Sequence, residues 1–454
     1  MPLTIKQTDL NRFERLVTKL TKSSENPMIC FIPSNTGTLK LCAFAKDAIL
    51  TMSVSKQGFV DPFSLSAVSL KTLVAKKGSD VILTPQKDAV HVQSGEEQRW
   101  VPREKNVNTL PNLPKQTATN DKRLLDVLHM TARCVDTNNV KTALNGICLR
   151  GATSQVLGTS GVQLLVHEHF EFPWKQDVIC PVSKIFGSKE LKEIDTDEVL
   201  LGQINDWVYF SIGEVEIWLR AIEGTFPKVE QLLVPAKNAV YLNVHPTDAV
   251  FILDRLDKLP GGKEHESPVL LILEDRIQIR AYDKPQKCGL ALELTYSTCT
   301  ERNIRLAMNR LFLKNALQFG CLRIGITPND TAPVLCTGEE NTFVFMPLSD
   351  TSEPDIEAER MTVVASTATT PATTANAAPV PVKRRRRKVA PVKRSMEQPS
   401  KAALLSQAEE VRQLLRTSLI QVNTLIKEVK AQRSKDKLLH STMESLRKLN
   451  LNIV

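Results

Sequence analysis

The 454-residue sequence predicts an α+β fold: three tandem domains, each built of two βαβββ-like half-domains, followed by a linker and a helical tail. Three observations predict it. Amphipathic, basic helical stretches recur about every sixty residues, short alternating strands fill the intervals, and proline-bearing connectors divide the chain into lengths that suit a domain.

The helical stretches begin near Thr8 (TDLNRFERLVTKL), Ser69 (SLKTLVAKK), Asp121 (DKRLLDVLHMTARC), Val182 (VSKIFGSKELKEI), Thr247 (TDAVFILDRLDKL) and Ile304 (IRLAMNRLFLKNALQFG). The first is followed by the strand-like runs NPMICFIP, TLKLCAFA and AILTMSV, the second by DVILTPQ, AVHVQS and QRWVP. The same order returns with ALNGICLRG, SQVLGTS and VQLLVHEHFEF, then EVLLGQI, WVYFSI and VEIWLRAI. It returns again with PVLLILE, RIQIRAY and GLALELTYS, then CLRIGI, APVLCT and TFVFMPL. The connectors NTLPNLPKQTATN and TFPKVEQLLVPAKN set domain limits at 1–115, 116–237 and 238–349.

The N-terminus lacks the basic flank and apolar core of a secretory signal, and no apolar run is long enough to span a membrane. The nine cysteines form no CxxC pair, so neither a zinc site nor a disulfide framework is indicated, and a cytoplasmic, reducing setting is expected. From residue 350 onward there are 19 Lys and Arg against 11 Asp and Glu, so most of the net charge of +9 belongs to the tail.

Four segments, in order on the sixfold repeat, carry a resemblance to a known family. LNGICLRG (Leu144 to Gly151), LGTSGVQLLV (Leu157 to Val166), EGTFPKVEQLLVP (Glu223 to Pro235) and FVFMPL (Phe343 to Leu348) resemble the bacterial DNA polymerase III β subunit, the sliding clamp. The resemblance covers residues 1 to about 349. It implies DNA-clamp domains in a head-to-tail homodimer that closes into a ring, with helices inside, sheets outside and double-stranded DNA in the hole. Helices about 10 Å wide make the pairing reasonable: six would enclose a hole of roughly 9 Å and twelve one of roughly 28 Å, and only the second admits a duplex.

A clamp needs weak, sequence-blind attraction to phosphates. The candidate DNA-facing residues on the helices are Lys19, Lys22, Lys71, Lys76, Lys77, Lys122, Arg123, Lys184, Lys189, Lys192, Arg255, Lys258, Arg302, Arg305, Arg310 and Lys314. Taken singly, each could equally be a solvated surface charge. The resemblance further implies a pocket that receives short peptide motifs of a DNA polymerase and a clamp loader. Its residues here are Leu144, Thr159, Gly161, Val162, Gln163, Leu164, Pro235, Asn309, Phe312, Val344, Phe345, Met346, Pro347 and Leu348. Val162 and Gln163 stand where the family has His-Arg, Ser160 where it has Asp, and Ser349 where a basic residue is usual, so the polar rim of the pocket is expected to differ.

Beyond Asp350, a Thr/Ala/Pro-rich segment and a basic run are expected to form a disordered linker over 350–398. Lys383, Arg384, Arg385, Arg386, Arg387 and Lys388 in that run suit non-specific contact with nucleic acid, against the blander reading of a solvated charge run. Over 399–454 a heptad pattern from Leu404 to Leu446, broken at QRSKD, fits a coiled coil, a helical hairpin or a docking helix. No GxxxxGK, HExxH or GxSxG motif is present, and His167 and His169 on one expected strand face lack a third ligand. The expected protein is therefore no enzyme, uses no cofactor and acts as a processivity factor. An accessory clamp-fold scaffold that no longer recruits polymerase is the alternative, and a hydrolase with a novel site is a remote third.

Overall fold

The computed structural model describes residues 2–21, 25–33, 37–58, 61–73, 80–261, 267–283, 287–328, 332–349 and 361–367. Six times over, a short strand leads into a helical segment and then into three antiparallel strands. The helical segments are α1 (Gln7–Leu20), α2 (Ala67–Leu73), α3 (Arg123–Thr131), α4 (Lys189–Lys192), α5 (Pro246–Arg255) and α6 (Arg310–Gln318). In α1, Leu10, Phe13, Leu16 and Val17 are buried at helical spacing, which turns one face onto the sheets and leaves Arg15, Thr18 and Lys19 outside.

The leading strand of each half-domain is exchanged. Leu3–Ile5 precedes α1 but pairs with Val81–Pro85 of the second half, and Phe63–Ser66 precedes α2 but pairs with Met28–Pro33 of the first. The same exchange joins Thr117–Asp121 to Glu198–Ile204, Asp177–Pro181 to Gly146–Arg150, Val240–Asn243 to Arg323–Ile326 and Ile304–Asn309 to Pro268–Leu273. Neither half can therefore complete its sheet alone.

Among the described residues, four sheets of four, eight, nine and five strands result. The two largest are fusions of half-domains. Ala48–Ser55 pairs with Val215–Arg220, and Gln163–His167 pairs with Asn341–Phe345, each antiparallel. On the faces of the first three sheets toward α1–α4, and of the last two toward α5 and α6, lie the two main cores. Smaller apolar clusters cover the opposite faces at the two joints: Ile49, Tyr209 and Trp218 at the first, and Leu157, Leu164, Leu335 and Val344 among others at the second.

Three expectations are corrected. The sixth helix starts at Arg310, not Ile304: Ile304–Asn309 is a strand, and Asn309 caps α6 by accepting the Leu311 N–H at 2.8 Å. The fourth helical stretch is split into a 3-10 turn, Lys184–Gly187, and the single-turn α4, capped by Ser183 and Ser188 in turn. Gly187 lies so close to the His129 ring that a Cβ there would come within 2.5 Å of it, which favours the break. Within the expected linker, Met361–Ala365 is a strand, paired in parallel with Cys288–Glu293. Apart from 361–367, the linker and tail beyond Asp350, with Lys383 to Lys388 and the heptad segment, lie outside the described residues.

The repeat places two tryptophans alike. Trp100 pairs with His91 and Trp218 with Tyr209, at ring separations of 4.8 and 5.0 Å. Trp218 is 1% exposed because Ile49 and its strand close over it, whereas Trp100 is 57% exposed. Trp218→Ala should therefore cost about 3–5 kcal/mol and Trp100→Ala less than about 1 kcal/mol. Urea unfolding of the two variants in dilute protein checks the difference.

Candidate nucleic-acid interface and partner pocket

Few of the helical cations are free. Lys122 donates to the carbonyls of Lys192 and Ile194 at 2.8 and 2.5 Å, and Arg123 pairs with Glu340 and lies over the Phe170 ring. Lys192 meets Asp126 at 2.6 Å, Lys189 meets Glu193 at 3.2 Å, and Lys314 meets Asp257 at 2.5 Å. Arg255 and Lys258 share Asp254. Arg310 is buried and donates to the carbonyls of Leu259 and Pro260 at 2.8 and 2.5 Å, so it braces the end of the 256–258 turn rather than facing solvent. Arg302 and Arg305 lie before and on the strand preceding α6, where they meet Asp275 and Glu274, and are not helical. Lys22, Lys76 and Lys77 lie outside the described residues.

Lys19, Lys71 and Lys184 remain. All three are exposed and have no ion-pair partner among the described residues, and they border one surface depression between α1, α2 and the Lys184–Gly187 turn. Thr18, Thr21 and Ser183 also line it. Three ammonium groups without an ion pair among the described residues, set around one hollow by three segments far apart in sequence, can attract a phosphate backbone without reading its bases. The depression also includes Glu14 and Glu25, which hold the local field down.

At the second joint the structure brings much of the expected pocket together. Leu164 pairs with Val344 and Gln163 with Phe345, the Met346 N–H donates to the Val162 carbonyl at 2.9 Å, and Phe312 lies 5.7 Å from Phe345. The turn before this strand depends on Gly161 at φ +94°, whose N–H donates to Thr159 Oγ1 at 3.1 Å while that hydroxyl donates to the Gln163 carbonyl at 2.6 Å. Val162 and Met346 are exposed beside this turn. Leu144 lies in the 3-10 turn Thr142–Asn145 ahead of Gly146–Arg150, while Leu348 donates its N–H to the Ala307 carbonyl and packs on the outer face of the five-stranded sheet, with Pro347 leading to it.

Gln163 is not a rim residue. It is buried, accepts from Asn315 Nδ2 at 3.4 Å and donates to the Arg133 carbonyl at 3.4 Å, while the Arg133 guanidinium reaches Asn315 Oδ1 at 2.5 Å and Gln318 Oε1 at 2.6 Å. A polar side chain expected to meet a ligand instead ties α6 to the 3-10 turn Ala132–Cys134 that follows α3.

Pro235 lines a separate groove with Leu232, Val234, Tyr241, Pro333 and Leu335. Leu232 and Val234 are exposed there, and they were missed from sequence although the run QLLVP is unusually apolar for a connector. The connector is clasped to the sheet: Arg150, itself buried, holds Asp177 through Nε and Nη2 at 3.1 Å and reaches Glu230 at 2.9 Å.

His167 and His169 do not share a strand face, since the strand ends at His167 and His169 has φ +70°. His167 is fully buried across the joint from Asn341, with its Nδ1 bonded to Asn341 Oδ1 and its Nε2 without a hydrogen-bond partner among the described residues. Burial pushes the imidazole down to about 4, against the bond to Asn341 and with help from the Arg123 charge.

No family model and no curated protein matches the sequence. Solved structures do. A DNA polymerase sliding clamp from Pseudomonas aeruginosa is similar at a TM-score of 0.65 and 16% identity, over 77% of this chain and 100% of that one. A DnaN sliding clamp from Bartonella birtlesii, bound to griselimycin, matches at 0.65 and 19% with the same coverage. A DNA polymerase III β subunit from Thermotoga maritima matches at 0.63 and 16%, over 77% of this chain and 99% of that one. The chain has the sliding-clamp fold.

The state of His167 gives a pH test. Because its folded value of about 4 lies below the ordinary 6.5, the unfolded chain takes up a proton first as pH falls. Stability is fully present above about 6.5 and drops by on the order of 3 kcal/mol as pH falls to about 4. Thermal unfolding at pH 7 and pH 5 should show a larger loss in the native chain than in His167→Gln.

Proposed function

We propose that this chain is a DNA processivity clamp: two copies encircle double-stranded DNA and tether a polymerase without performing chemistry. The sliding-clamp fold with Lys19, Lys71 and Lys184, none in an ion pair among the described residues, around one hollow of its helical layer supports this reading. The abundance of internal ion pairs on the other helices fits the same task. Strong anchoring to phosphates would arrest movement, whereas a few free ammonium groups hold the duplex loosely. The basic run from Lys383 to Lys388 would add non-specific attraction outside the ring.

Polymerase and clamp-loader peptides would dock on the apolar surface about Val162, Met346 and the Leu232–Pro235 groove. One observation favours the alternative of a scaffold that no longer recruits polymerase. Gln163 is turned inward, so the rim has lost a polar group that could orient a peptide. Peptide binding by calorimetry separates the two, with micromolar binding supporting the tether and none supporting the scaffold.

Combined Lys19→Ala, Lys71→Ala and Lys184→Ala should leave thermal unfolding unchanged and weaken duplex binding. The slope of log K against log salt should fall in magnitude by roughly 0.9 for each phosphate that is no longer neutralised. Fluorescence anisotropy with a labelled duplex across a salt series reads both, and an unchanged slope would remove these lysines from the interface.

A further inference from the structure

The half-domain repeat contains a third joint that this chain does not use. Each joint already described pairs the last strand of a first half with the last strand of a second half: Ala48–Ser55 with Val215–Arg220, and Gln163–His167 with Asn341–Phe345. Two last strands remain, Cys288–Glu293 and Glu97–Pro102. Glu97–Pro102 ends its sheet, with no described strand beyond it. On it stands Trp100, exposed where the equivalent Trp218 is covered by a joint. By the logic of the repeat, the missing cover is the 288–293 strand of a second copy, and this step rests on the ring reading above.

That strand is not open. Met361–Ala365 lies along it from Gly289↔Met361 to Glu293↔Ala365, and this is the one parallel pairing among the described strands. Gly289 leaves room for the intruder, since a Cβ there would lie 2.8 Å from the Met361 methyl carbon. One end is pinned. Ser366 is buried, its Oγ donates to Asp248 Oδ1 at 2.5 Å and accepts the Thr295 N–H at 3.0 Å, and its N–H donates to the Glu293 carbonyl at 3.0 Å. The rest is held lightly. Thr362, Val363 and Ala365 are exposed, and only Val364 packs against the core beneath.

We propose that Met361–Ala365 is a displaceable plug: it occupies in cis the sheet edge that a second copy's Glu97–Pro102 strand would pair with, and so holds the chain back from self-association. A segment pinned at one residue and half exposed elsewhere can be peeled away while the other four strands of its sheet keep their pairing. Asp248 keeps its bonds to the N–H groups of Tyr296 and Ser297 and to the Ser297 hydroxyl when Ser366 leaves.

The test uses the full chain. The Ser366 N–H faces the 288–293 strand, so by strand alternation those of Val364 and Thr362 do too. Thr362→Pro with Val364→Pro removes both donors, and Ser366→Ala loosens the pin alone. Sedimentation over a concentration series and native mass measurement should show the dimer dissociation constant falling at least tenfold in the double proline variant and less in Ser366→Ala. Adding a synthetic peptide of residues 359–368 should return the double variant to monomer, and Trp100→Glu in that background should do the same. Equal dimerisation of the native chain and both variants, still sensitive to Trp100→Glu, overturns the plug and leaves the joint standing. No dimer in any variant, with each folded by circular dichroism, overturns the ring reading and the plug with it.

Discussion

The strand layers of this molecule are organised by the need to satisfy the edges of their sheets. A strand with one side unpaired exposes a row of N–H and C=O groups and invites association. Exchange of the leading strand satisfies one edge of every half-domain, and edge-to-edge fusion satisfies another in four of the six. Since each fusion also covers apolar residues on the outer faces, the joints carry both hydrogen bonds and burial. At the first joint Glu216 adds a polar clasp: it accepts from Lys40 at 2.8 Å, Thr51 at 2.7 Å and Tyr209 at 3.1 Å. Burial alone would raise its carboxyl, but these donors hold it below the ordinary value.

The helical layer is governed by a different balance. Lysine and arginine are abundant there, yet most are spent on carbonyls and carboxylates of neighbouring segments, as with Lys122, Lys192 and Lys314. Such exposed pairs contribute little to stability individually. Their larger effect is to lower the positive field over this layer, leaving most of it to a small set of unpaired ammonium groups.

Much of the architecture was legible in the sequence because two periodicities, one of strands and one of half-domains, are local. The exchange of leading strands was not, since it pairs residues as far apart as Leu3 and Leu83 and leaves no mark on either segment. Ile304–Asn309 read as helix because the run IRLAMNRLFLKNALQFG is continuously rich in helix formers, with Asn309 the overlooked cap. MTVVA was hidden inside a Thr/Ala/Pro-rich stretch whose average composition outweighed its β-branched core. For the candidate site, residue type indicated where the apolar floor lies, at Leu164 and Val344. It could not tell which way a polar side chain points, and Gln163 turned inward because Asn315 and Arg133 offered it partners there.

The clasp of Arg150 on Asp177 and Glu230 has a thermodynamic meaning for the groove beside it. A connector of this kind would ordinarily sample many backbone states, and a guest settling against it would have to freeze them. Here the freezing is done in the course of folding, through a guanidinium already withdrawn from water. A guest docking at Leu232 and Val234 would then have only itself to immobilise, so a short segment with few contacts would be held there without a large entropic penalty.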